Sequence, residues 1–154
     1  MKITELKEFL DFKASQYENQ AFISSDPIQL VHQFSRKEDI EIVGFLISTI
    51  AWGNRTSIIK SGEKLLQLME HRPYEFIQNY SHSDFSFVHR TFNAVDLDFF
   101  FRSLQTIYLN SNLEKSFKMH PEINGIKGRI VNFRKTFLAT EHDLRSEKHI
   151  SNPL

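Results

Sequence analysis

One stretch limits what this chain can fold into. From Ile40 to Ala51 the only polar side chains are Glu41, Ser48 and Thr49, so apolar groups reach almost every face of a helix, as in a helix buried on most sides. Trp52-Gly53-Asn54-Arg55 follows, with Gly53 free to take positive φ at the helix end and Asn54 placed to cap the next helix. After it Ile58, Ile59, Leu65, Leu66 and Met69 share one side, while Lys60, Glu63, Lys64 and Gln67 leave the other in water. Asp39 to Met69 therefore reads as a helical hairpin with one buried arm, one half-exposed arm and a polar tip.

The rest of the chain is ordered around that hairpin. Ile3, Leu6, Phe9 and Leu10 repeat at helical spacing behind Thr4, so residues 4–17 read as an amphipathic helix expected to lie over the core helix. Ser24-Ser25-Asp26-Pro27 starts a short helix ending near Ser35. Pro73 to Asn79 allows two turns. From Tyr80 to Asn93 the pattern is irregular, and Phe85, Phe87, Val88 and Phe92 are expected to anchor a loop. Asn93 to Asn110 resumes helix as a second buried segment, with Val95, Leu97, Phe99 to Phe101, Leu104, Ile107, Tyr108 and Leu109. Ser111 to Glu114 fits a capping box for a helix to about Met119, and Ile123 to Leu138 reads as a basic amphipathic helix. No strand pair or repeat emerges. The fold class predicted is all-α: a single, bundle-like orthogonal helical domain of about seven helices over residues 1–138, packed around Ile40–Ala51 and Asn93–Leu109. Residues 139–154 read as a polar tail that stops at Ser-Asn-Pro-Leu, as if cut before further helices.

Composition narrows the function classes. The 154 residues suit one domain with a sizeable core. Nineteen basic and nineteen acidic side chains cancel, so binding to a polyanion must come from a local patch. Residues 1–51 hold five Lys/Arg against eight Asp/Glu and residues 114–154 hold eight against five, which places such a patch toward the carboxyl end. The absence of cysteine removes disulfides, thiolate ligands and a Cys nucleophile. Lacking an apolar leader or a spanning run, the chain is expected to be cytoplasmic and not a membrane protein.

Several chemistries have no spacing to support them. There is no Walker-type loop, GxSxG elbow, HExxH or EF-hand loop. The seven histidines form no helical pair at three or four residues, so no metal site and no cofactor is expected. Gly125-Ile126-Lys127-Gly128 has the GxxG spacing of a nucleic-acid clamp, but its flanks read as helix, which makes it a helix-start irregularity. Two polar groups remain as candidate contacts. Trp52, Gly53, Asn54 and Arg55 could reach a ligand from the hairpin tip, although residue types alone favour Trp52 packing under the turn with Asn54 only capping. His89 and Arg90 stand at a helix entrance where freed N–H groups can hold phosphate. Further on, Arg134, Lys135, Arg145, Lys148 and His149 could meet a nucleic-acid backbone, diluted by Glu141, Asp143 and Glu147.

The words FISSDPIQLVHQFSRKEDIEIVGFLISTIAWGNR, FVHRTFNAVDL and RSEKHISNPL resemble the amino-terminal part of an uncharacterised bacterial family, domain of unknown function 2400. The resemblance covers essentially the whole chain and brings no activity with it. It implies a continuation of roughly a hundred residues, domain-sized in itself, with a further helical segment and a Pro-Leu-Asp-Val-His-like motif. More distantly, the hairpin is similar to that of the helix-hairpin-helix DNA glycosylases, where the turn after the buried helix carries an amide that enters DNA beside a flipped base. That similarity implies a base-excision-type protein contacting double-stranded DNA. Asn54 or Trp52 would be the wedge, Arg55, Lys148 and His149 would contact phosphates, and the catalytic Asp and phosphate-holding glycines would lie beyond Leu154. The alternative is a non-catalytic helical interaction module, in which a second copy, a missing carboxyl-terminal domain or another chain meets the Phe85–Phe92 loop or the chain end.

Overall fold

The computed structural model describes residues 2–153; Met1 and Leu154, the two ends of the sequence reading, lie outside the described residues. In chain order the elements are α1 (Ile3–Tyr17), α2 (Gln20–Ile23), a 3-10 helix (Pro27–Gln33), α3 (Lys37–Ile50), α4 (Arg55–Leu68) and α5 (Pro73–Gln78). A two-residue hairpin, β1 (Val88–His89) with β2 (Phe92–Asn93), precedes α6 (Ala94–Asn110), α7 (Leu113–Ser116), α8 (Gly125–Phe137) and a second 3-10 helix (Leu144–His149). The fold is all-α apart from that hairpin, which is antiparallel with Val88 opposite Asn93 and His89 opposite Phe92.

The core sits where α3, α5, α6 and α8 meet. Ile42, Val43, Leu46, Ile47 and Ile50 of α3 are buried, and α6 adds Leu97, Phe99, Phe100, Phe101, Leu104 and Ile107. Phe100 is the ring at the centre of this layer, in contact with Phe45, Phe92, Phe99 and Phe137 at centroid distances of 5.0–5.7 Å. Such offset and edge-on contacts add to the transfer free energy of the rings. α3 is not wrapped all round. Ile40 and Ser48 are exposed, and a Cβ placed on Gly44 would meet nothing within 4 Å, so one stripe of the helix faces outward.

Local signals explain the element starts. Asn93 accepts from the backbone N–H groups of Val95 and Asp96 while the Asp96 carboxylate accepts from Asn93 N–H, a reciprocal cap that starts α6. Asn54 caps α4 by accepting from Ser57 N–H at 3.3 Å. α7 is capped by Asn112, through Lys115 N–H, and not by Ser111. Gly128 packs so tightly that a Cβ there would come within 1.8 Å of the Ile123 carbonyl oxygen, while Gly125 holds φ +74° at the start of α8. The GxxG spacing thus serves the beginning of a helix.

Several expectations change. α1 does not lie over the core helix: none of its residues is buried. Val95, Leu109 and Ile126, read as apolar-face positions, are exposed. The loop between α5 and β1 is pinned through Asp98, which accepts from Tyr80 Oη at 2.7 Å and Arg102 Nε at 2.8 Å and lies 2.8 Å from His82 Nδ1. Burial would raise the Asp98 pKa, but those three partners together bring it below the usual carboxylate range.

Residues 139–153 pack back on the helices instead of trailing into water. Ile150 is buried, Arg102 donates to the Glu141 carbonyl, and Arg134 donates to the carbonyls of Glu147 and Ile150 and pairs with the Glu147 carboxylate. Their polarity reads as solvation in the sequence, but it is used in hydrogen bonds to side chains far away in the chain.

Candidate functional site

The turn between α3 and α4 lies at the surface, and a second element holds it. Gly53 has φ +106°, a conformation that side chains with a Cβ avoid. The Arg90 guanidinium occupies the space above it: a Cβ on Gly53 would lie 2.4 Å from an Arg90 terminal nitrogen. Arg90 is at the tip of the β1–β2 hairpin with φ +55°, a left-handed conformation that costs a non-glycine residue about 1–2 kcal/mol. From there its guanidinium carbon sits 5.1 Å from the Trp52 ring centroid. The His89 ring meets the indole edge-on at 5.8 Å, and His89 Nδ1 is 2.8 Å from Ser61 Oγ of α4. Trp52 is therefore braced by His89 and Arg90, yet keeps 37 % of its surface in solvent.

The structure brings Trp52, Gly53, His89 and Arg90 into one cluster. Asn54 and Arg55 sit at the edge of it, each already engaged. Asn54 caps α4, and Arg55 lies 3.6 Å from the Asp26 carboxylate with its guanidinium over Phe22. Beside the turn, a hollow of about 510 Å³ lined by Ile28, Val31, Gly44, Ser48, Gly53 and Arg55 is largely apolar, not a basic groove. Arg90 and Lys148 are exposed and carry no ion pair among the described residues.

His149 is not a surface contact. Its side chain is 6 % exposed, its ring lies 4.9 Å from Phe92, and its Nε2 stands 3.6 Å from the Asp96 carboxylate. Its Nε2 is closed to solvent. His89 is likewise buried at 4 % exposure and acts through Trp52 and Ser61. His89, held by Ser61 of α4, supports Trp52, and His149 packs against Phe92 of the hairpin, whose exposed surface carries Arg90.

Asp96 joins that surface to the chain end. It is fully buried; Oδ1 accepts from Ser146 Oγ at 2.6 Å, Oδ2 accepts from Asn93 N–H at 3.0 Å, and Arg145 and His149 approach Oδ2 at 3.5 and 3.6 Å. Arg145 also donates to the Thr91 carbonyl, next to Arg90. Sequence reasoning missed Asp96, Ser61 and Ser146. The Asn93-x-x-Asp96 capping pattern was the one available signal, and nothing in the sequence links Asp96 to a serine fifty residues on.

Burial holds the His149 imidazole below the ordinary histidine range; Asp96 opposes this, and the Lys148 and Arg145 charges reinforce it. The unfolded chain therefore takes up a proton on this group at higher pH than the folded one does. The stability tied to the neutral ring is complete above the model-peptide value of 6.5 and is lost as the pH falls through the lower, folded value. Urea midpoints measured between pH 7.5 and 5 should fall on the acid side, and His149→Phe should flatten part of that fall. An unchanged slope in His149→Phe would contradict this origin.

Residues 26–154 match a family model described as protein of unknown function (DUF2400). The chain belongs to that family. The DUF2400 match takes in the hairpin, both buried helices and the docked chain end, and begins after α1 and α2. No curated protein and no solved structure matches the chain. Among the described residues of this DUF2400 chain no three His, Asp or Glu side chains converge as a metal-holding group, and no helix is long and apolar enough to cross a membrane. The aromatic loop of the interaction-module reading is turned inward. Phe87 and Phe92 are buried and Phe85 is partly buried against Phe101, so most of the aromatic surface of that loop is covered within the chain.

Proposed function

We propose that this chain binds double-stranded DNA through the α3–α4 turn and the neighbouring β1–β2 hairpin, as the helical amino-terminal portion of a cytoplasmic, bacterial, base-excision-type protein. The observation that carries the reading is the braced, half-exposed Trp52 with the Arg90 guanidinium on its face. An aromatic edge beside a cation can enter a base stack while the cation meets the flanking phosphate. Trp52 is the better wedge, because Asn54 would have to give up its cap. Arg55, Arg90 and Lys148 are the phosphate contacts, with Arg145 behind them on the Thr91 carbonyl. His89 braces Trp52, and His149 packs against Phe92 of the hairpin. Asp26 and Asp96, the carboxylates that touch this region, are both engaged, so the chain alone is expected to bind without breaking a glycosidic bond.

The test is fluorescence anisotropy with a labelled duplex carrying an abasic or mismatched site, at several salt concentrations. Three phosphate contacts predict a log–log slope of about −2.7, a loss of roughly forty-fold in affinity between 50 and 200 mM salt. Arg90→Ala should lower the slope by about one, and Trp52→Ala should weaken binding without changing it. An affinity absent or indifferent to salt would sink the proposal. The competing reading, a non-catalytic helical interaction module, has in its favour the balance of nineteen basic against nineteen acidic side chains. It predicts that absence.

A further inference from the structure

A hollow of about 340 Å³ opens between the end of α3, the α7–α8 pair and the docked chain end. This is the small end of the range for small-molecule sites, about 300–1,000 Å³, so it holds a ring compound and not a helix or a strand. Phe45, Phe117, Ile130 and Phe133 wall it, and Ile150 closes the side toward the chain end. Phe117 and Phe133 stack with centroids 4.3 Å apart and planes 6° from parallel, and Phe45 meets Phe133 edge-on at 5.4 Å. The wall is therefore made of rings that brace one another. Such a wall suits a flat aromatic guest, which adds stacked or edge-on contacts without breaking any.

The polar part of the lining has one sense. Ser48 and Thr49 line the hollow, and each hydroxyl donates its proton to the Phe45 carbonyl, at 2.8 and 2.9 Å. Lone pairs are what remain on both oxygens, so each accepts and neither has a proton left to give. Both residues lie in the last turn of α3, where the helix dipole adds partial negative charge. A guest is met there by acceptors. Among the described residues no Asp, Glu, Lys or Arg lines the hollow, so a charged guest would shed its water without gaining a counter-ion. His149, the one titratable side chain in the lining, is held neutral above pH 6.5 by its burial.

We propose that this hollow binds a small, uncharged, planar aromatic molecule that donates a ring N–H to the hydroxyl oxygens of Ser48 and Thr49. The site is separate from the DNA reading, since neither Trp52 nor Arg90 lines it, and either can fail without the other. Indole is the probe, being flat, neutral and equipped with one N–H. In carbon-13 methyl NMR of the whole chain at pH 7.5, the Ile130 and Ile150 signals should shift and saturate with a Kd of about 1 mM or tighter, as suits a fragment of this size. Ile77, buried in α5, should stay still. 1-Methylindole keeps the rings and loses the donor, and should bind about five-fold more weakly. Tryptamine and indole-3-acetate add a charge of either sign, and both should bind more weakly than indole. Methylation also adds bulk, so the deciding variant combines Ser48→Ala with Thr49→Val, in which indole and 1-methylindole should bind about equally. The two hydroxyls bond only within their own helix, so this variant keeps the fold, and circular dichroism checks that it does. Absence of a saturable shift at Ile130 and Ile150, an equal shift at Ile77, a charged analogue that binds as tightly as indole, or a preference for indole that survives in the double variant would each overturn the proposal.

Discussion

Asp96→Ala is expected to destabilise the protein by about 3–5 kcal/mol, the range for removing one partner from a buried charged hydrogen-bond network. The carboxylate is fully buried and serves four groups from two parts of the chain: Asn93 N–H, Ser146 Oγ, Arg145 and His149. Alanine leaves the Ser146 hydroxyl, itself fully buried, without its acceptor, and orphans the N-cap amide. The loss should fall unevenly. The chain end from Ala139 onward loses Ser146 and Arg145 as anchors and keeps only those through Arg102, Arg134 and Ile150, so limited proteolysis should cut it before the helices unfold. Asp96→Asn keeps an acceptor oxygen in place and should lie between wild type and alanine. A urea midpoint for Asp96→Ala within experimental error of wild type would show that the network is decorative.

Phe100→Ala is expected to cost a similar amount, about 3–5 kcal/mol, by a different mechanism. The ring is fully buried between α3, α6 and α8 and touches four other phenylalanines, so truncation forfeits its transfer free energy and leaves a cavity walled by rigid rings that cannot collapse into it. At the usual sensitivity for a chain of this size the melting temperature should drop by roughly 6–20 °C. Leu109→Ala, on the exposed side of the same helix, should stay within about 0.5 kcal/mol. If the two substitutions cost the same, the placement of Phe100 at the centre of the core is wrong.

How much of this is legible in the sequence depends on how far apart the interacting residues lie. α3 is readable because a continuous apolar run bounded by Trp52-Gly53-Asn54 leaves few alternatives, and α6 because Asn93 and a dense aromatic period mark its start and its length. Those signals lie within one or two helical turns. β1 and β2 are two residues each, too short for a period of two to register, and what they achieve is to carry Arg90 across to a turn 37 residues earlier. The chain end reads as polar and solvated because Ser146, Arg145 and Glu147 do not reveal that Asp96 and Arg134 wait for them. α1 is misplaced by its pattern for a related reason: amphipathicity states that a face needs covering and is silent on whether the cover comes from the same chain. The candidate site divides in the same way. The hairpin tip can be found from its residue types, but its bracing by His89, Arg90 and Ser61 cannot.

Trp52 is the only tryptophan in the chain, and it sits between a histidine ring and an arginine at the junction of two elements that separate stretches of sequence bring together. Its emission therefore comes from one known address and follows the seating of the hairpin on the turn, not the melting of the core. A spectroscopist following that indole has a local gauge, able to register loosening at this corner while the ellipticity of the helices stays constant.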